Sequence, residues 1–339
     1  MKTYRGMVIG VGGMGTGWVK TMAACEQVEV VGLVDLVEER AQKAKNEYKL
    51  TTAMVLTDSA KALRELKPDF ILDATPPEVH HDITLDALSL GIPVIGEKPL
   101  AETIDKARAM VRASEKYATL YKVSQNRLYD PNIAAYRALV NATLGTLGIL
   151  NSDFYLGAHI GGWREQMESP LLFDMAIHTI DAARYISNRD AVSVYCEEFN
   201  PSWSWFDGDA CATALFEMEG GLRYTYNGSW VSNGRHTTWE ANWRAVGEKG
   251  SATWDENNKL LAETVTKLDS YLATTELQEA APVEMPFRGI AASLRDFLNA
   301  LETGNVPLSE CHDNFKSLAM IFAAMESARS GKREKVQTL

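Results

Sequence analysis

A glycine-rich run near the start of the chain has the spacing of a dinucleotide-binding turn. The run Gly10-Val11-Gly12-Gly13-Met14-Gly15 follows a short apolar segment and precedes a segment with helical character. Glycine at its first, third and sixth positions allows a tight turn, the close approach of a pyrophosphate and the close packing of helix on strand. The N–H groups that begin the helix would face the phosphates. The candidate cofactor contacts are Gly10, Gly12, Gly13, Met14 and Gly15, and a purely structural turn is the alternative.

An acidic residue follows at the spacing that such a turn requires. Asp35 comes directly after a second apolar segment, Val28 to Val34. A carboxylate here accepts hydrogen bonds from both ribose hydroxyls of an adenosine and repels a 2′-phosphate. Leu36 and Val37 come next, rather than the Arg or Lys that would hold a phosphate. The sequence therefore predicts NAD, rather than NADP, as the cofactor.

A lysine in the run Glu97-Lys98-Pro99 is the first candidate for chemistry on a substrate. It lies just past the apolar segment Pro93 to Ile95. The carboxyl ends of the strands line the ligand crevice of an open parallel sheet, so Lys98 would face the nicotinamide. Its ammonium group could hydrogen-bond a substrate oxygen and stabilise negative charge that develops there. A solvated surface lysine is the alternative.

An aspartate and a histidine four residues apart form the second candidate group. Asp174 and His178 share one face if their segment is helical, and the apolar neighbours Phe173, Ile177 and Ile180 indicate that this helix is at least half buried. A histidine with a carboxylate beside it can act as a general base near neutral pH. A buried histidine with a structural role and a capping Asp is the alternative.

Two histidines follow the segment Phe70 to Ala74. Thr75 and Pro76 come directly after that segment and are candidates for contact with the cofactor. His80 and His81 stand at the start of a predicted helix, where we expect both to act as caps.

A glycine-rich loop shortly before Asp174 carries Trp163 next to Arg164. An aromatic face beside a guanidinium suits a polyhydroxylated ligand. A contact between subunits would give the same pattern.

The order of apolar segments predicts the elements that position these residues. The first third alternates strands (7–9, 28–34, 70–74 and 93–95) with helices (18–25, 38–48, 78–90 and 104–117), which predicts a doubly wound parallel sheet of Rossmann type. Later β-like segments separated by tight turns (150–157, 192–199, 210–218, 222–230 and 238–246) predict a largely antiparallel sheet, and 287–330 is helical again. We therefore predict an α/β fold with a first domain over 1–125 and a second, α+β domain over 126–339.

The composition excludes several classes of partner. A net charge of −11 repels phosphate backbones and argues against nucleic acid. The four cysteines are scattered, without a Cys-x-x-Cys pair or a histidine at ligand spacing, so we expect no metal site, no disulfides and a reducing compartment. The first apolar strand begins too early to leave room for a signal peptide, so we expect none, and no apolar run is long enough to span a membrane. A cytoplasmic protein is expected.

These motifs together resemble the Gfo/Idh/MocA oxidoreductases over nearly the whole chain. The combination of Glu-Lys-Pro with Asp-x-x-x-His at this separation is a specific signal. The resemblance rests on the glycine run, Asp73 to Pro77 with His80, Gly96 to Leu100, Arg127 with Pro131, Trp163-Arg164, Asp174 to His178 with Asp181, and Met320 to Gly331.

The resemblance implies roles for these residues. Lys98 is similar to the catalytic lysine of the family, Asp174 to its substrate-orienting acid and His178 to its general base, and the Lys98–Pro99 peptide is expected to be cis. The implied substrates are sugars, inositols and related polyols. The second domain is expected to have an open-faced mixed sheet that joins subunits into a homodimer or homotetramer. Implied cofactor contacts also include Thr75, Pro76, His80, Glu97 and Lys98, and implied substrate contacts are Lys98, Arg127, Trp163, Arg164, Asp174 and His178.

One segment departs from the family pattern. Many members carry a glycine-rich run before the Asp, whereas this chain has Glu168-Ser169-Pro170-Leu171-Leu172-Phe173. This loop is expected near the substrate, so the sugar preferred by other family members is not assigned to this chain. Two other kinds of family member remain as alternatives, namely glycosidases or lyase-like enzymes that reduce and regenerate NAD in each cycle, and NAD-dependent sugar sensors without catalysis.

Overall fold

The alternating segments at the start of the chain form a six-stranded parallel sheet. The computed structural model describes residues 2–339. The elements are β1 (Tyr4–Ile9), α1 (Gly13–Ala23), β2 (Val28–Val34), α2 (Glu38–Glu47), β3 (Met54–Leu56), α3 (Ser59–Leu66), β4 (Phe70–Asp73), α4 (Pro77–Ser89), β5 (Val94–Gly96), α5 (Ile104–Tyr117) and β6 (Tyr121–Val123). The strand order is β3-β2-β1-β4-β5-β6 with parallel pairing throughout, which confirms the predicted Rossmann-type sheet.

Local sequence explains most of these boundaries. The strand β4 is buried on both faces, as its unbroken apolar run Phe70-Ile71-Leu72 predicts. The side chains of Asp58 and Thr103 accept hydrogen bonds from N–H groups in the first turns of α3 and α5. The helix predicted to start at residue 18 starts instead at Gly13, because the last glycines of the run already belong to its first turn.

The middle of the chain forms a nine-stranded mixed sheet. Its elements are α6 (Pro131–Thr143), β7 (Leu147–Tyr155), α7 (Ile177–Ser187), β8 (Ala191–Phe199), β9 (Cys211–Met218), β10 (Arg223–Ser229), β11 (Asn242–Gly247), β12 (Gly250–Trp254), β13 (Leu260–Lys267) and β14 (Thr274–Ala280), with β15 (Glu334–Lys335) from the end of the chain. The order is β14-β13-β12-β11-β7-β10-β9-β8-β15, and β7 with β10 is the parallel pair among otherwise antiparallel neighbours. The predicted largely antiparallel sheet is confirmed.

This sheet has one covered face and one open face. On the covered face, Phe216 and Tyr224 are cross-strand partners that stack with ring centroids 5.6 Å apart, and Trp243 continues the stack. The opposite face is more exposed and includes Tyr195 and Phe199. The open-faced sheet that the resemblance implied is therefore present.

The helix α8 (Gly289–Thr303) packs with the first sheet although it follows the second one in sequence. The first compact unit comprises the chain up to Asn126 together with 287–315 and Leu339, and the second comprises 127–286 and 316–338. Phe297 lies in the core of the first unit, with its ring centroid 5.4 Å from that of Phe70. The predicted division, which placed all of 126–339 in one domain, differs from the structure here because the apolar face of α8 is buried in the first core.

A buried ion pair also fastens α8. The side chain of Lys122 in β6 is fully buried, and its Nζ donates to Oδ2 of Asp296 in α8 over 2.9 Å. Burial lowers the pKa of Lys122 to about 8, against the effect of Asp296, which raises it. The last helix is α9 (Cys311–Ser330). Within residues 2–339, none of the helices combines the length and the apolar character that crossing a membrane requires.

Replacing Phe297 with Ala should destabilise the first unit. The substitution removes a buried ring from the core and leaves a cavity, so we expect the free energy of unfolding to fall by about 3–5 kcal/mol. Urea unfolding followed by circular dichroism measures this. The control is Asn299→Ala on the exposed side of the same helix, expected to change stability by no more than ~0.5 kcal/mol. Equal effects of the two changes would show that α8 is not part of this core.

Candidate active site

The glycine turn leaves the N-terminus of α1 open. Gly10 has a φ of +85°, and a Cβ there would lie 2.7 Å from the backbone of Ala74. A Cβ on Gly15 would lie 1.8 Å from the carbonyl oxygen of Gly10, so α1 can start this close to β1 only with glycine there. At Gly12 and Gly13, by contrast, no described atom beyond the chain neighbours and the backbone of α1 lies within 4 Å of the Cβ position, and no side chain caps the helix. This uncapped end fits a pyrophosphate.

Asp35 fastens the same turn. Its Oδ2 accepts a hydrogen bond from the N–H of Val11 over 2.8 Å, and its Oδ1 accepts one from the N–H of Val37 over 2.9 Å. Nη1 of Arg40 lies 3.8 Å from Oδ1. The carboxylate therefore has a structural role in addition to the predicted contact with a ribose.

The turn after β4 lies beside the glycine turn. Oδ1 of Asp73 accepts hydrogen bonds from the N–H of Thr75 over 3.0 Å and from its hydroxyl over 2.6 Å. A Cβ on Gly10 would lie 2.8 Å from the N atom of Thr75. Since β2, β1, β4 and β5 are parallel neighbours, the structure brings Asp35, Gly10 and Thr75 to one edge of the sheet with Pro76 and Lys98.

A buried carboxylate holds the backbone at Lys98. Oε1 of Glu97 accepts a hydrogen bond from the indole N–H of Trp18 over 2.6 Å, and Oε2 accepts one from the N–H of Lys98 over 3.2 Å. Burial raises the pKa of Glu97, while Trp18, Lys98 and His80 lower it. The Lys98–Pro99 peptide is cis, as the resemblance implied.

His80 and His81 do not cap α4, so that expectation was wrong. The ring of His80 is buried, with Nε2 2.8 Å from the carbonyl oxygen of Thr75 and Nδ1 3.1 Å from that of Pro99. His81 instead contacts Oδ1 of Asp82. The reason is that carbonyl oxygens flank His80, whereas a cap must accept from N–H groups. The side chains of His80 and Glu97 join the loops that carry Thr75 and Lys98, and their contact with the cofactor stays a prediction.

In the second unit, Asp174 and His178 lie on consecutive turns of one helical segment. Residues Pro170–Ala176 form a π-helix that leads directly into α7, so the predicted helix is present with a widened first part. Both residues are 7% exposed. The next acid along, Asp181, accepts a hydrogen bond from the hydroxyl of Ser317 in α9 and therefore has a structural role.

Two guanidinium groups lie near Asp174. Nε of Arg164 donates to Oδ2 of Asp174 over 2.8 Å, and the guanidinium carbon lies 4.5 Å from the ring centroid of Trp163. Arg127 donates to the carbonyl oxygen of Trp239 and lies over its ring. Burial lowers the pKa of Arg127, against the carboxylates of Glu240 and Asp174, which raise it. Arg164 and Arg127, two of the predicted substrate contacts, thus lie near Asp174.

Sequence reasoning missed the segment that holds the Arg164 loop. The N–H of Asp207 donates to the carbonyl oxygen of Glu165 over 2.7 Å, and that of Asp209 donates to the carbonyl oxygen of Glu168 over 2.8 Å. A Cβ on Gly208 would lie 2.1 Å from that second carbonyl oxygen. The run Asp-Gly-Asp was the available signal, since it is typical of a turn that packs closely.

Side chains that could ligate a metal converge at a different place in the first unit. Among residues 2–339 the group comprises Glu310, Cys311 and His312. The atoms that could bind a metal already contact one another, since Cys311 Sγ and His312 Nδ1 both contact Oε1 of Glu310. The other ring nitrogen of His312, Nε2, contacts Oε1 of Glu115. His312 directly follows Cys311 in this group, whereas no histidine was expected at ligand spacing from a cysteine. The absence of a metal site stays a prediction. All four cysteines are buried free thiols.

Comparison with known proteins identifies both parts of the chain. The family model described as "Oxidoreductase family, NAD-binding Rossmann fold" of the GFO/IDH/MocA group matches residues 4–125. The model of the GFO/IDH/MocA C-terminal domain matches residues 133–253. The first unit therefore contains an NAD-binding Rossmann domain.

Individual relatives extend over almost the whole chain. An uncharacterised protein, y4oX of Sinorhizobium fredii, is 27% identical over 99% of this chain and 96% of its own length. The D-apiose dehydrogenase of Paraburkholderia graminis is 25% identical over 100% and 91%. An oxidoreductase from Agrobacterium radiobacter, solved with NAD+, L-tartaric acid and magnesium, has a TM-score of 0.88 at 20% identity and 99% coverage of both chains.

Replacing Asp35 with Asn should reduce the preference for NAD over NADP. The amide keeps the size of the side chain but removes the charge that repels a 2′-phosphate, and it leaves Arg40 without its acidic neighbour. We expect the ratio of the NADPH and NADH dissociation constants to fall by about tenfold or more. Fluorescence titration with each reduced cofactor measures the ratio, which is insensitive to a general loosening of the turn.

The matched control is Glu39→Gln, an exposed carboxylate in the first turn of α2. It should leave both dissociation constants unchanged. A ratio in Asp35→Asn equal to that of the unmodified protein would rule out a role for Asp35 in the choice of cofactor.

Proposed function

Because the chain belongs to the Gfo/Idh/MocA family of oxidoreductases, we propose that it oxidises a hydroxyl group of a sugar, inositol or related polyol with NAD. The observation that carries the proposal is the carboxyl edge of the parallel sheet, where Lys98 follows β5 and the glycine turn follows β1, with β4 between these two strands. The activity named for the D-apiose dehydrogenase supports a sugar as the substrate. NAD supplies the chemistry of accepting a hydride, that is, one proton with two electrons.

The cofactor contacts follow from the open space at the glycine turn. The N–H groups of Gly12, Gly13 and neighbouring Met14 hold the pyrophosphate, Asp35 holds the adenosine ribose, and Thr75 with Pro76 contacts the cofactor further along the same edge. His80 and Glu97 hold the loops on which Thr75 and Lys98 lie. The roles of the chain are therefore binding and orientation.

Proton transfer falls to the side chains. The imidazole of His178 accepts the hydroxyl proton as the carbinol carbon loses its hydride, so that the alcohol becomes a carbonyl group. The ammonium of Lys98 stabilises the negative charge that develops on the oxygen. Asp174 accepts a hydrogen bond from a neighbouring hydroxyl and fixes which carbon reacts. Arg127 and Trp163 complete the substrate contacts.

The open face of the mixed sheet supports assembly into a homodimer or homotetramer. Ile149, Tyr195 and Phe199 are exposed apolar side chains on the strands of this sheet. A second copy of the chain would cover them. The four buried free thiols support a reducing compartment such as the cytoplasm.

Substitution of Lys98 by Ala or of His178 by Asn should abolish most of the turnover. Each change removes one group from the proposed chemistry, and we expect kcat to fall by about 10²–10⁴-fold while NADH still binds. The assay follows NADH absorbance with a panel of inositols, aldoses, sugar acids and disaccharides.

The matched controls are Lys106→Met and His81→Asn, at residues that pair with Glu102 and Asp82. Near-normal turnover in either test variant would refute the role given to that residue. Net turnover without added NAD would instead identify an enzyme that recycles its cofactor, and tight binding of NAD and a sugar without any turnover would identify a sensor.

Charges on the open face should separate the subunits. The double variant Tyr195→Glu with Phe199→Glu places acidic groups on either side of Glu197, and we expect it to reduce the assembly to single chains in light scattering. The control is Val306→Glu, an exposed site in the first unit. An unmodified protein that is already a single chain would contradict the assembly.

A further inference from the structure

Arg164 presents an edge of its guanidinium that the protein does not use. Its Nε donates to Asp174, and within residues 2–339 neither Nη1 nor Nη2 has a hydrogen-bond partner. The side chain is 28% exposed, so this edge is reachable by a ligand although much of the side chain is covered. From these observations we propose that the substrate carries a carboxylate group, which Arg164 binds. The inference rests on the proposed function and specifies its substrate class as a sugar acid.

The orientation of the guanidinium suits a carboxylate. Arginine presents parallel N–H groups that match the two oxygens of a carboxylate, and such bidentate contacts are among the stronger hydrogen bonds in proteins. Asp174 occupies the Nε side, and the ring of Trp163 stacks on the plane at 4.5 Å. Both contacts fix the plane of the guanidinium, and neither of them uses Nη1 or Nη2.

The loop of Arg164 is held in place before any ligand binds. Oε1 of Glu165 accepts a hydrogen bond from the N–H of Gly161 over 3.0 Å, which closes the loop locally. The N–H of Asp207 donates to the carbonyl oxygen of Glu165, and the backbone at Gly208 packs against the carbonyl groups of Met167 and Glu168. A guanidinium on a fastened loop loses little freedom on binding, which favours selective recognition.

The free edge of Arg164 favours a carboxylate over both a neutral group and a phosphate. Arg164 pairs with Asp174, and Arg127 lies near both Asp174 and Glu240. Burial raises the pKa of Glu240, whereas Arg127 lowers it. A neutral polyol would accept weaker hydrogen bonds from the free edge of Arg164 than an ionised acceptor would. A phosphate dianion would be repelled more strongly by Asp174, 2.8 Å from the same guanidinium. A carboxylate avoids both penalties.

The test compares pairs of compounds that share stereochemistry and differ in charge. The pairs are D-glucuronate with D-glucose, D-galacturonate with D-galactose, and D-glycerate with glycerol, and glucose 6-phosphate represents phosphates. Binding to the NADH-loaded protein is measured by calorimetry, and turnover is measured by NADH formation. We expect at least one acid to bind, and to be oxidised with a kcat/KM, about tenfold or more above its neutral partner.

Variants of Arg164 locate the effect. In Arg164→Gln the preference for the acid should disappear through a rise in Kd and KM, while the dissociation constant for NADH is unchanged. Arg164→Lys keeps the charge without the fork and should retain part of the preference. The control is Arg235→Gln, an exposed arginine of the same unit that pairs with Glu256 and should keep the full preference.

The outcomes separate this inference from the proposed function. Acids that bind no better than their neutral partners in every pair, or a preference that survives in Arg164→Gln, would overturn the inference even if neutral polyols are oxidised. A stronger response to glucose 6-phosphate than to any acid would replace the carboxylate with a phosphate and would also overturn it. Acid binding that depends on Arg164 without turnover of any compound would support the inference and count against the proposed oxidation.

Discussion

The close contact between Gly10 and Gly15 is the constraint on which the first unit depends. A Cβ at Gly15 would overlap the carbonyl oxygen of Gly10, so two glycines set how near α1 starts to β1. That position also determines where Trp18, one turn further along α1, directs its indole N–H. The indole binds Glu97, and Glu97 binds the backbone N–H of Lys98. The turn that leaves room for a pyrophosphate therefore also fixes the backbone of the lysine.

Some of this arrangement is predictable because it depends on local chemistry. Gly10, Asp35 and Lys98 each follow a short apolar strand, and the rule that parallel strands share a carboxyl edge brings such residues together. The segments 28–34 and 104–117 have the boundaries that their patterns predict, since apolar runs and periodicity act over a few residues.

The remainder depends on contacts between distant residues or on weak patterns. Trp18 and Glu97 are 79 positions apart, and nothing in either local pattern indicates the pairing. The same holds for Phe297, whose helix is amphipathic but whose partner surface lies in the first sheet. Strands β3 and β6 have three residues each, and β14 is exposed along most of its length, so none of them has a readable alternation.

Two buried carboxylates illustrate how partners determine what an acid can do. Glu97 accepts hydrogen bonds from an indole and from a backbone N–H, both neutral donors that belong to the fold, and it is bound to the loop it holds. Asp174 is paired with Arg164, a cation whose terminal nitrogens remain available. A ligand can share that guanidinium without breaking the pair, so Asp174 can keep its orientation while a substrate binds beside it. The difference suits Glu97 to the proposed positioning of Lys98 and Asp174 to the proposed contact with a substrate.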